Sequence, residues 1–199
     1  MQNKNQIIKT LQSGGAVLIA TDTVYGLAAL PSNEKAVAKI YELKQRPHNL
    51  FLPLMAAGLG DLEKLGVDVN ENARKLFASD LTPGAITFVL GFSSGAPKPD
   101  WLANRDEIAV RIPDNALLLS VLRETGLLAV TSANRHGRAT PDRVNDILAE
   151  LNGTPDLIVE DGAGKEIPST IVNCRRLPPT IERYGLIPET AIRKILRNE

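Results

Sequence analysis

Ala16-Val-Leu-Ile-Ala-Thr-Asp-Thr-Val-Tyr-Gly-Leu27, with a helical run after it that ends in Leu43-Lys-Gln-Arg-Pro47, decides how this chain is read. A short apolar run behind Gly14-Gly15 has the length and the bounding glycines of a buried strand. Pro31-Ser32-Asn33 offers a helix cap, and Ala36, Val37, Ile40 and Leu43 share one face. Pro47 disfavours helical geometry at Arg46, so the helix is expected to end there. Hydroxyls of Thr21, Thr23 and Tyr25 leave a strand end, and Lys44 and Arg46 leave a helix end. Where those ends meet, hydroxyls and cations share one cleft, which suits a phosphorylated or carboxylated ligand.

The rest of the chain frames that cleft. A length of 199 residues fits one domain (1–199) with a substantial core. Basic and acidic residues both number 23, so global charge does not advertise nucleic-acid binding. A single cysteine, Cys174, makes no internal disulfide and fits a reducing compartment. Neither a signal-like N-terminus nor an apolar run of membrane-spanning length is present, so a cytoplasmic protein with no membrane segment is expected.

Periodicity predicts a helix over Lys4–Leu11, a short strand near 54–55, and helical pieces at Asp61–Leu65 and Asn70–Phe77. Ala85–Leu90, Ile108–Ile112 and Leu127–Thr131 read as strands, as do the shorter 157–159, 170–172 and 180–182. Asp114 is the expected cap of a helix closed by Gly126, Val144–Leu151 is helical, and Pro188 opens a final helix. Helices and strands in irregular alternation predict an α/β fold with an open sheet of mixed direction, not a regular doubly wound one.

Several familiar chemistries are missing. There is no Gly-x-x-x-x-Gly-Lys-Ser/Thr, no Gly-x-Ser-x-Gly around Ser132, and no partner spacing for His48 or His136. Gly162-Ala-Gly164 reads as a loop, and Cys174 as structural. What stands out is a set of strand ends with polar tips: Thr21-Asp-Thr23, Arg111, Thr131-Ser-Ala-Asn134 and Asn173. Taken singly, each has an ordinary reading. Ser132-Ala-Asn134 would cap the next helix, Arg111 would make a surface ion pair, and Lys44 and Arg46 would be a solvated helix end. Taken together, they give hydroxyls, amides and cations without a nucleophile–base pair. That set suits nucleotidyl transfer, which needs positioning and charge stabilisation, better than acyl transfer through serine.

Thr21-Asp-Thr-Val-Tyr-Gly-Leu27 and Lys44-Gln-Arg-Pro47 resemble the YrdC/Sua5 family, the threonylcarbamoyl-AMP synthases of tRNA modification. Thr82-Pro-Gly-Ala-Ile-Thr87, Ile108-Ala-Val-Arg-Ile-Pro113, Thr131-Ser-Ala-Asn134 with Gly137 and Thr140-Pro141, Ser169-Thr-Ile-Val172 and Arg183-Tyr-Gly185 continue the likeness in order. The resemblance implies an open twisted sheet with flanking helices around a concave cationic cavity. It implies condensation of L-threonine, bicarbonate or CO2, and ATP into threonylcarbamoyl-AMP and pyrophosphate, with Mg²⁺ on the phosphates and no protein metal site. By the same likeness Thr23, Tyr25, Arg111, Thr131 and Ser169 bind threonine. Lys44, Arg46, Ser132, Asn134, Thr140 and Arg183 bind ATP, with Lys44, Arg46 and Ser132 catalytic. Downstream threonylcarbamoyl-transfer proteins and weak RNA binding are the implied partners. The alternative is an RNA-binding or regulatory module on the same fold, without turnover.

The chain departs from the family pattern at Ala20, Phe51, Met55 and Ala85, where Pro, Pro or Gly, His and Pro are common. It resembles the short, single-domain form. The glycines of 161–168 are expected to fold that loop over a ligand and return Ser169 and Arg183 to the Thr23–Ser132 pocket, with Arg183 near the nucleotide. The alternative leaves Arg183 paired with Glu182 or Glu189 on the surface.

Overall fold

The computed structural model describes residues 4–96, 98–160 and 167–197. The loop expected to fold over a ligand therefore lies largely outside the described residues, as does Gly162-Ala-Gly164. Lys4–Gln12 (α1) buries Ile7, Ile8 and Leu11 and stops at Gly14, whose φ of 85° suits glycine. Val17–Ile19 (β1) follows, and then the chain turns back into Gly26–Ala29 (β2), a strand the sequence pattern does not show. Glycine and alanine are weak strand formers, and pairing on both sides overrides that preference.

Glu34–Lys44 (α2) is capped as expected, with Asn33 Oδ1 accepting from Ala36 N at 3.0 Å. It ends two residues before Arg46, because Gln45 takes the left-handed conformation at φ 49°, ψ 45°. Leu54–Met55 (β3), Leu59–Lys64 (α3), Val67–Asp68 (β4), Glu71–Phe77 (α4) and Ile86–Phe92 (β5) come next. After a single 3₁₀ turn at Asp100–Leu102 come Ile108–Arg111 (β6) and Ala116–Thr125 (α5). Asn115, not Asp114, caps α5: its backbone is extended and its side chain accepts from Leu118 N at 2.9 Å. Leu128–Ser132 (β7), Val144–Glu150 (α6), Leu157–Ile158 (β8), Thr170–Asn173 (β9), Thr180–Arg183 (β10) and Glu189–Arg197 (α7) complete the order.

The sheet runs β10-β9-β5-β6-β3-β7-β2-β1-β8, with β4 paired to β5. Three pairs are parallel (β1 with β8, β3 with β6, β5 with β9) and the others antiparallel, so the sheet is mixed.

Side-chain alternation divides the core between the two faces. Leu18, Leu27, Ala29, Leu54, Phe88, Val110, Ala129 and Val172 pack in one cluster with α2, α3, α4, α6 and α7. Val17, Ile19, Ala28, Met55, Leu128 and Val130 pack in the other with α1 and α5 alone. This second cluster takes in β8, β1, β2, β7 and β3 and none of the buried residues of β6, β5 or β9. On that part of the face the strands carry Arg111, Thr87 and Ile171. Val110 pairs with Phe88 and Thr87 with Ile171, which sets Arg111 opposite Thr87. Phe88 is fully buried on the other face, where truncation to alanine would cost about 3–5 kcal/mol.

Candidate active site

The turn between β1 and β2 is shaped by its own hydroxyls. Thr21 Oγ1 donates to Val24 O at 2.6 Å and accepts from Thr23 N at 3.1 Å. Thr23 is thereby presented to Arg111, whose Nη1 donates to Thr23 Oγ1 at 2.8 Å. Arg111 Nε donates to Gly84 O at 2.9 Å, and Gly84 N returns a bond to Ile112 O at 2.9 Å. Thr82-Pro-Gly84 is thus strapped to the end of β6. Arg111 Nη2 lies 2.7 Å from Asp22 Oδ2, with both side chains buried. Burial pushes the Arg111 guanidinium down from its usual range, and the Asp22 charge holds it up.

Arg111 does not share a strand-end edge with Thr23 and Ser132. The pairings make β6 run opposite to β1, β7 and β9. The common carboxyl-end arrangement expected from the sequence is therefore replaced by a meeting over the sheet face. Asn173, another expected strand tip, instead donates to Glu182 Oε1 at 2.6 Å and accepts from Arg175 N at 2.9 Å.

From the sheet edge, Ser169 and Arg183 join the same face. Ser169 Oγ lies 2.8 Å from Thr87 Oγ1. Arg183 Nε and Nη2 both donate to Ser169 O, at 3.1 and 2.9 Å, and Nη2 reaches Ser169 Oγ at 3.1 Å. Burial pushes the Arg183 guanidinium down, and the charge of Arg111 adds to the shift, so the two guanidiniums feel each other. The surface alternative fails: Glu182 accepts from Asn173, and Glu189 from Tyr184 and Arg193. Gly185 makes this packing possible, since a Cβ there would sit 2.4 Å from Pro168 O and from Ser169 C.

A second cluster forms around Asn134. Its Oδ1 accepts from Ser132 Oγ at 2.5 Å, Thr140 Oγ1 at 3.1 Å and Lys44 Nζ at 3.4 Å. Its Nδ2 donates to Arg135 O at 2.8 Å and Arg138 O at 2.7 Å. One amide thus shapes the whole loop from 132 to 140, and Ser132-Ala-Asn134 caps no helix: α6 starts at Val144 with Arg143 in the cap position. Lys44 is fully buried, donating to Ser132 O and, at 2.8 Å, to Asn134 O. Burial pushes its ammonium down to about 7, aided by the charge of Arg46. The carbonyl oxygens around Nζ work the other way, favouring the charged form. Lys44 O accepts from His136 N at 2.8 Å and Tyr25 O from Ala133 N at 2.7 Å, joining α2, the Thr21–Tyr25 turn and this loop.

The remaining expected site residues fall around these two clusters. Arg46 is half-buried against its own loop, donating to Leu50 O at 3.1 Å and Phe51 O at 3.2 Å. Tyr25 is buried in the larger core cluster. Thr131, also buried, pairs with Leu27, and alternation places it on the face opposite Ser132. Arg183 groups with Ser169 and Arg111 and makes no hydrogen bond to the Lys44–Asn134 cluster. Met55 is paired with Arg111, and Phe51 lies exposed under the Arg105 guanidinium at 4.4 Å. Asp22 and Thr87 went unread in the sequence as site residues, although Asp22 stands between the two threonines and Thr87 ends the Thr82–Thr87 motif.

Among the described residues no group of three or more His, Cys, Asp or Glu could hold a metal ion. Cys174 is buried, which pushes its thiol up to about 12 and makes it a poor nucleophile. No described helix is long and apolar enough to cross a membrane.

The chain is similar to a Bacillus subtilis (strain 168) protein named threonylcarbamoyl-AMP synthase, 34% identical over 96% of this chain and 56% of that one. The crystal structure of P. abyssi Sua5 complexed with L-threonine matches at a TM-score of 0.85 and 29% identity, over 96% of this chain and 56% of that one. The crystal structure of E. coli YciO matches at a TM-score of 0.80 and 26% identity, over 93% and 90%. The chain thus spans little more than half of the first two proteins and nearly all of the third. A family model, Sua5/YciO/YrdC, described as telomere recombination, matches residues 9–185. With that match covering most of its length, and the mixed sheet of its solved relatives, the chain belongs to the Sua5/YciO/YrdC family.

Proposed function

We propose that this chain condenses L-threonine, bicarbonate or CO2, and ATP into threonylcarbamoyl-AMP and pyrophosphate; its B. subtilis relative is named threonylcarbamoyl-AMP synthase. The product would serve N6-threonylcarbamoyladenosine formation in tRNA. The observation that carries the reading is one polar site with two unlike halves. The half around Arg111 offers a guanidinium and hydroxyls, suited to a carboxylate and a hydroxyl. The half around Asn134 offers a buried lysine and a hydroxyl-rich loop, suited to a nucleotide. The threonine complex of P. abyssi Sua5 supports an amino acid as one of the two ligands.

In this reading Thr23, Arg111 and Ser169 hold threonine, and Tyr25 and Thr131 shape the walls from behind. Lys44 and Arg46 hold phosphates, which requires Arg46 to leave the carbonyls of Leu50 and Phe51. Ser132 and Thr140 contact the nucleotide, and Asn134 acts mainly by ordering their loop. Arg183, beside Ser169, reaches the carbamate or α-phosphate from the threonine side. The threonine amine captures CO2, and a carbamate oxygen displaces pyrophosphate at the α-phosphorus. Lys44, Arg46 and Arg183 stabilise the charge that builds there. The described residues offer no carboxylate cluster for Mg²⁺, and no step is assigned to it.

Pyrophosphate release with each substrate omitted in turn tests the proposal. Release that requires threonine, bicarbonate and ATP together is expected. Release indifferent to threonine, or tight RNA binding without turnover, would replace the synthase with a binding module.

A further inference from the structure

We propose that Asp22 reads the amine of the amino-acid substrate, so that Asp22 and Arg111 together recognise the zwitterionic head of an α-amino acid. This deepens the function proposed above and rests on it.

Asp22 lies in the turn between Thr21 and Thr23, its side chain 9% exposed. Its Oδ2 faces Arg111 Nη2, but its Oδ1 is buried with no hydrogen-bond partner among the described residues. Arg111 shows the complementary condition. Its Nε and Nη1 are engaged by Gly84 O and Thr23 Oγ1, while Nη2 is buried and faces only Asp22 Oδ2, at 2.7 Å. A carboxylate oxygen without a partner therefore stands beside a guanidinium whose Nη2 is held by Asp22 alone.

A carboxylate kept only for the turn would be used by the turn. Asp side chains in such positions accept from backbone N–H groups two residues on. Here the turn is held by Thr21 Oγ1, which accepts from Thr23 N, and Asp22 Oδ1 accepts from no backbone N–H among the described residues. A carboxylate kept only to neutralise Arg111 would leave an oxygen desolvated at a cost in stability. A ligand carrying an ammonium and a carboxylate on one carbon satisfies both groups together: the carboxylate takes Arg111 Nη2 and the amine donates to Asp22 Oδ1. The same Asp22 charge repels an acid that lacks the amine, which makes the pair selective as well as attractive. The other cation near this pair is Arg183, on the Ser169 side, and it leaves Asp22 as the acceptor for a cationic head.

Calorimetric titration of L-threonine and of the analogue bearing hydroxyl in place of the amine, (2S,3R)-2,3-dihydroxybutanoate, tests the assignment. The wild-type chain is expected to prefer threonine at least tenfold. In Asp22→Asn and Asp22→Ser that preference disappears: threonine weakens at least tenfold, and the hydroxy acid is unchanged or tighter. ATP titration of the same variants reports whether the nucleotide half remains folded. Equal weakening of both ligands would make Asp22 a positioning residue for Arg111 and overturn the proposal. So would a preference that survives in either folded variant. A wild-type chain that binds no threonine would overturn the function itself, a distinct result from a change in discrimination.

Discussion

Arg111 and Thr23, 88 residues apart, are joined by a 2.8 Å hydrogen bond on the polar half of the sheet face, with both side chains buried. The bond ties the first strand connection to the middle of the sheet. Hydrogen bonds hold Nε and Nη1 of the guanidinium, and the Asp22 carboxylate faces Nη2.

Arg111→Lys is therefore expected to weaken threonine binding without a matching effect on ATP. Lysine keeps the charge but not the planar fork. Losing a charge-assisted hydrogen bond costs about 1.5–3 kcal/mol, roughly tenfold to a hundredfold in affinity. Arg46→Ala should show the opposite pairing, with ATP weakened and threonine spared. Calorimetry that returns the reverse pattern would dissolve the two-half site.

If Lys44 holds the nucleotide as proposed, nucleotide binding is expected to be proton-linked. Its folded pKa, about 7, lies below its ordinary value of 10.5. Between those pH values the unfolded chain carries a proton that the folded chain lacks, so this group makes stability rise with pH across the window. A bound triphosphate favours the ammonium. Above pH 7, then, ATP binding should take up a proton, seen as a binding enthalpy that varies with buffer ionisation enthalpy. Lys44→Met should abolish both the uptake and the pH slope. An uptake that persists in the variant would assign the proton elsewhere.

Asn134→Ala removes three acceptor and two donor contacts from one loop. Lys44, the buried partner, loses a bond at a cost of about 1–3 kcal/mol and the part-buried partners lose less, so a drop in melting temperature is expected. ATP affinity should fall with it, while threonine affinity holds. An unchanged melting temperature would show that the loop is ordered by other contacts.

Gly185→Ala should damage the threonine half alone. The added Cβ would press on Pro168 and Ser169 backbone, which cannot yield as a flexible side chain would. Gly60→Ala, with nothing within 4 Å of the added carbon and a helical backbone, is the control and should be neutral or stabilising. Equal effects from both substitutions would contradict the close approach at Gly185.

Most of the helices and the longer strands could be read in the sequence because each element's own pattern decides them. Asn33, Ile40 and Leu43 declare α2, and Ile86 to Leu90 declare β5. β2 could not be read, because Gly26-Leu-Ala-Ala29 is a strand only through β1 and β7 on either side. β4, two residues long, carries no period at all. The site was legible through its residue types, with Thr23, Arg111, Ser132 and Asn134 standing out as polar residues at strand ends and Ser169 supplied by the family likeness. Their grouping was not. Strand direction sets which ends meet, and no local signal tells that β6 runs against β7. Arg183 lies with Ser169 because β10 folds back along β9. Asp22 was hidden by its neighbours: flanked by two hydroxyls in a turn, it looks like turn chemistry until Arg111 arrives from far along the chain.

The parallel pairing of β5 with β9 also bears on how the chain is made. Ile86, Phe88 and Val89 line up with Thr170, Val172 and Asn173, so residues 86–89 of β5 lack this neighbour until the last quarter of the chain has been synthesised. A ribosome adds roughly 5–20 residues per second. For several seconds a nascent chain holds β6 against one side of β5 and exposes backbone N–H and C=O groups on the other. Such an edge, rich in apolar residues, recruits strands from other chains. Synthesis of this protein therefore passes through a window of vulnerability that closes only when the strand following Ser169 emerges, and the same event completes the binding face.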